Sequence, residues 1–82
     1  MMIEELASIV EGLSDIKDDN TVPKNIRTKI EQIISILGDD DCEMSLKISR
    51  AQQELDEIAE DSNIQPYTRT QIWNVASLLE TF

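Results

Sequence analysis

Eighty-two residues leave room for one hydrophobic core, because two separate cores would each be too small to hold together. With 40% hydrophobic and 29% charged residues, the composition is that of a globular helical protein and excludes a disordered segment. Seventeen acids against seven bases give a net charge of −10, which argues against nucleic-acid and anionic-membrane partners, while the absence of histidine removes the commonest general base and metal ligand.

The first helix is predicted from about Met2 to Lys17. Ile3, Leu6, Ile9, Val10, Leu13 and Ile16 recur at steps of three and four, which draws one apolar stripe. Lys17 at its end suits the helix dipole. Asp18-Asp19-Asn20-Thr21 interrupts the stripe with side chains that bond their own backbone. A second helix starts near Pro23, whose missing N–H costs nothing in a first turn. Ile26, Ile30, Ile33 and Leu37 form its face, widened by Ile34. Gly38 is the expected left-handed residue that ends it.

Asp39-Asp40-Asp41 is expected to supply an N-cap and negative charge to a third helix from about Cys42 to Glu60. Met44, Ile48, Ala51, Leu55 and Ile58 point inward on it, and Asp61-Ser62-Asn63 stops it. The fourth helix begins near Pro66 and continues almost to Phe82, with Ile72, Val75, Ala76, Leu79 and Phe82 on one side. No period-two alternation long enough for a strand competes.

Arg27-Thr28-Lys29-Ile30 and Arg69-Thr70-Gln71-Ile72 are one pattern at an offset of 42 residues. The same register lays Leu6, Ile9, Leu13 and Ile16 over Ile48, Ala51, Leu55 and Ile58. A repeat of this length is two helices and a turn, so residues 2–37 are expected to superpose on 44–79. The chain is therefore all-α and one domain over 1–82, built from two similar helical hairpins. Short connections make consecutive helices antiparallel and favour an up-and-down four-helix bundle. The alternative is a two-unit HEAT-like stack, which would leave both end faces uncapped.

Candidates for chemistry are few. Cys42 is the one strong nucleophile, but Asp40, Asp41 and Glu43 oppose its thiolate and no imidazole activates it. A single cysteine forms no internal disulfide, which fits a reducing cytosol. The acidic start at Glu4-Glu5 is unlike an export signal, so the expected location is cytoplasmic. The triple aspartate lacks the alternating acids and mid-loop glycine of an EF-hand, and two glycines build no phosphate-cradling loop. No cofactor, catalytic residue or metal ligand is assigned, and the reading leans away from an enzyme. The competing reading is a carboxylate- or divalent-metal-dependent accessory enzyme or metal-binding protein.

Two features stand out against this background. Arg27 and Arg69 sit early in their helices, where the dipole disfavours a cation. Acids ending the preceding helix (Asp15, Asp18 and Asp19; Glu57, Glu60 and Asp61) are expected to brace them as structural ion pairs, with an anion clamp as the alternative. The fourth helix carries no charge from Thr70 to Leu79. Trp73 and Leu78 flank its stripe on opposite edges, and they either seal the core or anchor a protein partner or a second copy of the chain.

The runs Asp19-Asn20-Thr21-Val22-Pro23-Lys24-Asn25-Ile26-Arg27 and Arg69-Thr70-Gln71-Ile72-Trp73-Asn74-Val75-Ala76-Ser77-Leu78-Leu79-Glu80 resemble the archaeal uncharacterised protein family 0147. The resemblance covers nearly the whole chain. It implies a cytoplasmic four-helix bundle in an archaeal cell, and it implies no activity and no site residues.

Overall fold

A computed structural model describes the backbone of residues 2–81 and the side chains of residues 5–81. The expectations for the Met2, Ile3, Glu4 and Phe82 side chains lie outside the described residues. Four helices follow in order: α1 (Met2–Lys17), α2 (Lys24–Leu37), α3 (Met44–Ala59) and α4 (Pro66–Leu79). α1 and α3 begin and end 42 residues apart, and so do α2 and α4.

Each helix packs against two others, and α1 against α4 closes the ring. The cross-section of 20 by 20 Å is two helix diameters in each direction. These contacts make an all-α four-helix bundle and not a side-by-side stack. Ile9, Leu13 and Ile16 of α1 meet Ile26, Ile30, Ile33 and Leu37 of α2, Ile48, Ala51, Leu55 and Ile58 of α3, and Ile72, Val75 and Leu79 of α4 in one cluster. Leu6, Val10, Ile34, Met44 and Ala76 pack around it, half-buried. α1 and α4 approach closely at Gly12, where an added Cβ would lie 3.2 Å from Val75 Cγ2. Among the described residues, no helix is long and apolar enough to cross a membrane.

The three connections, residues 18–23, 38–43 and 60–65, are one six-residue loop used three times. Its second residue is always aspartate. Asp19, Asp39 and Asp61 each accept through Oδ1 a hydrogen bond from the amide two residues on, at 2.9, 3.0 and 2.8 Å from Thr21, Asp41 and Asn63. This side-chain-to-backbone turn is what aspartate does best in a loop. The amides of Asp19, Asp39 and Asp61 close on Ile16, Ile36 and Ile58 carbonyls of the helix just ended. The fifth loop residue is Val22, Cys42 or Ile64. Val22 and Ile64 are buried and Cys42 half-buried, so each loop drops a small plug onto the core.

This geometry corrects two expectations. Gly38 has φ −87° and ψ 0°, and no described residue has a positive φ. The loop turns in ordinary backbone space, so Asp18 and Glu60 fill the position that Gly38 fills. Asp39-Asp40-Asp41 does not cap α3 either. The N-cap is Glu43, with no side-chain bond to the helix, and Asp39 holds the loop instead.

The Asp19 turn has a consequence in acid. The Thr21 hydroxyl and then the Thr21 amide stabilise its carboxylate, burial opposes them, and Arg27 adds a smaller favourable pull, so its pKa falls below the ordinary 3.8. A depressed folded pKa contributes stability above the unfolded value, and that contribution is lost as pH falls through the folded one. Carbon NMR of the Asp19 carboxyl should therefore show titration below 3.8, moving upward in Thr21→Val. A midpoint at or above the ordinary value would contradict the turn.

Candidate functional site

Along α4 the apolar stripe Thr68, Ile72, Val75 and Leu79 is buried, and two edges flank it. On one edge Arg69, Trp73, Ala76 and Glu80 follow at helical spacing. Arg69 on this edge donates from Nε to the Ala59 carbonyl at 2.9 Å and from a terminal nitrogen to the Asp61 carbonyl at 3.0 Å. That contact turns the edge toward the end of α3. The other edge, toward α1, is Tyr67, Gln71, Asn74 and Leu78, at steps of four, three and four.

Trp73 and Leu78 do not seal the core: they are 56% and 45% exposed. The sequence reading missed Tyr67, which is 67% exposed and lies three turns below Leu78 on the same edge. Its signal was the eleven-residue spacing across two uncharged positions. Between them the Gln71 amide oxygen is buried without a hydrogen-bond partner. The edge is thus an uncharged stripe on an acidic protein, with an aromatic and an aliphatic side chain exposed at its two ends. Leu46 of α3 is exposed as well, but on a different helix face.

The arginines behave differently from one another. Arg69 braces the α3–α4 hairpin through main-chain carbonyls, where the sequence pointed to the acids Glu57, Glu60 and Asp61; its contact with Asp61 is to the carbonyl oxygen. The last carbonyls of a helix have no intrahelical donor and form the negative end of its dipole, so a cation from the next helix suits them. Lys47, passed over in the sequence, does the same. It is buried at 5% exposure, and its Nζ donates to the Leu37 carbonyl at 3.1 Å. Its signal was position: Arg27, Lys47 and Arg69 each lie eight residues after a loop aspartate. Arg27 has a buried Nε with no hydrogen-bond partner.

Cys42 carries a free thiol, half-buried in the second loop. Among the described residues no three His, Cys, Asp or Glu side chains group closely enough to hold a metal ion. An open groove of about 550 Å³ between α2 and α3 is lined by Thr28, Glu31, Gln32, Ser35, Ile36, Arg50 and Glu54. Its lining mixes the Glu31 and Glu54 carboxylates, the Arg50 cation and the Thr28 and Ser35 hydroxyls.

A protein of Thermococcus kodakarensis, UPF0147 protein TK2131, is 39% identical over 80 residues, covering 96% of each chain. UPF0147 proteins of Methanosarcina mazei and Archaeoglobus fulgidus are 35% and 39% identical, covering 95% and 92% of this chain and 84% and 85% of their own lengths. The crystal structure of the unknown-function protein MMP1188 matches with a TM-score of 0.93 and 39% identity, over 98% of this chain and 91% of that one. These names carry no activity, and nothing in the comparisons indicates an enzyme. The profile of the Uncharacterised protein family (UPF0147) matches residues 2–82, and the chain belongs to that family.

Proposed function

We propose that this protein is a non-enzymatic contact module of the cytoplasm, which docks another protein surface through the α1-side edge of α4. The reading rests on one observation: Tyr67 and Leu78 stand exposed at the ends of a stripe with no charge between them. A solvated helix in a protein of net charge −10 is expected to carry acids, as α3 does at Glu54, Asp56 and Glu57. Water gains little from an uncharged helix face, whereas a partner removes the apolar area from solvent. Tyrosine adds a rigid, amphipathic contact of the kind that dominates binding energy. Trp73, on the opposite edge, offers a second anchor of the same chemistry.

Leu78→Asp tests the edge directly. Leu78 is 45% exposed, so the variant should melt within about 1 kcal/mol of the parent, as surface substitutions away from special features do. Sedimentation velocity over a range of concentrations reads self-association, and affinity capture from the native cell reads other partners. The expected result is a complex formed by the parent and lost by Leu78→Asp. The reading fails if the parent sediments as a monomer and the same proteins are captured by both. A fall of about 2–5 kcal/mol, as core truncations cost, would return Leu78 to the core.

A further inference from the structure

Arg27, Lys47 and Arg69 occupy one position in three copies of the same loop and helix start, yet they end differently. Lys47 and Arg69 give donors to carbonyls at the end of the helix before them. Arg27 keeps a buried Nε without a partner, and a buried unpaired donor carries a full desolvation cost. Two further cations stand beside it. Lys17 closes α1 and Lys24 opens α2, and with Arg27, Thr28 and Glu31 they line a cavity of about 190 Å³.

The charge around this cavity runs against the rest of the molecule. α2 carries Lys24, Arg27 and Lys29 against the single acid Glu31, within a chain of net charge −10. Asp19 feels the charge of Arg27 as well, but its carboxylate is turned into its own loop, accepting from the Thr21 amide at 2.9 Å and hydroxyl at 2.7 Å. The Thr28 hydroxyl is committed to the Lys24 carbonyl at 3.0 Å. The charges that line the cavity are therefore those of the three cations and Glu31. At physiological salt, charges more than about 8 Å away are largely screened, so the local excess of positive charge decides what enters.

We infer that the cavity between the end of α1 and the start of α2 binds a small oxyanion, a phosphate or carboxylate group, with the terminal guanidinium nitrogens of Arg27, whose Nε is closed to solvent, as its directional donors. A guanidinium offers a planar fork of N–H groups that matches two oxygens at once. The Lys17 and Lys24 ammonium groups act as point charges on either side and supply no geometry of their own. Three cations against one lining carboxylate favour the dianion, so inorganic phosphate should bind more tightly than acetate. This site lies on α1 and α2, apart from the α4 edge, and either can fail without the other.

The test is an NMR titration of the intact chain with sodium phosphate and with sodium acetate, each against sodium chloride at matched ionic strength and pH. The Arg27 Nε–H and the Thr28 amide are the reporters. Phosphate should shift both along a saturating curve, and acetate should do so with weaker affinity. Lys24 is exposed, so Lys24→Gln should keep the spectrum of the folded protein and weaken phosphate binding by roughly tenfold or more. Lys17→Gln should act in the same direction. Shifts that grow linearly and match those in chloride would overturn the site. So would a saturating shift that neither substitution weakens.

Discussion

Leu13→Ala and Leu55→Ala should be among the most damaging single changes in this chain, each costing about 2–5 kcal/mol of folding free energy. Both side chains are completely buried, on helices that face each other across the ring, and truncation removes apolar contact that a four-helix core of this size does not replace. A domain of this length holds about 4–12 kcal/mol in all, so either change uses up a large part of it. The midpoint of thermal unfolding should fall by roughly 10 °C or more. Matched truncations of Leu46, which is 52% exposed, should cost well under about 1 kcal/mol. Circular dichroism melts of the three variants check this. A loss below about 1 kcal/mol at Leu13 or Leu55 would contradict the placement of that residue in the core.

The bundle was legible because its core obeys a simple periodicity. The main apolar faces from Ile9 to Leu79 were placed by the three- and four-residue steps, since a helix in a small bundle has one face to hide, whereas the buried Val22, Lys47, Ala59, Ile64 and Thr68 were not read as inward. Helix boundaries came within a few residues, limited at α3 by reading Asp39 as a cap when it ties its own loop. The third copy of the loop escaped because the 42-residue register pairs the α1–α2 turn with the α3–α4 turn and skips the middle one. In that register Lys47 aligns with Glu5, and the match among Arg27, Lys47 and Arg69 disappears. It returns once the count starts from the loop aspartates.

The contacts of Arg69 and Lys47 were hidden for a different reason. A sequence displays carboxylates, and it is natural to pair a cation with them. Main-chain carbonyls are present at every residue, so nothing in composition marks the few that a helix end leaves open. Exposure on α4 was half legible. The missing charge between Thr70 and Leu79 signalled an unusual face, but the core reading and the contact reading predicted the same residues there. Only the packing of α1 and α3 against α4 separates Leu79, fully buried, from Leu78 beside it.

Removing Arg69 should cost about 1.5–3 kcal/mol, and removing Arg27 from the equivalent position well under about 1 kcal/mol. Arg69 donates two charge-assisted hydrogen bonds to the Ala59 and Asp61 carbonyls, and each such bond has a net value toward the upper end of the usual range. Arg69→Met keeps the apolar stem and strips the donors, which leaves both carbonyls to find water. Lys47→Met removes one bond, to the Leu37 carbonyl, and should fall between the other two. Arg27→Met gives up no bond at Nε, which has no partner. Urea unfolding of the three variants gives the order Arg69, Lys47, Arg27 if carbonyl capping sets the cost. Salt then separates capping from ion pairing. A brace made with the exposed carboxylates of Glu57 or Glu60 would weaken steeply at high ionic strength, so the loss in Arg69→Met would shrink there. A bond from a half-buried guanidinium to a carbonyl dipole keeps most of its value, and the same loss should be measured at low and high salt. Equal losses at all three positions, or a loss at Arg69 that salt abolishes, would refute capping as the role of these residues.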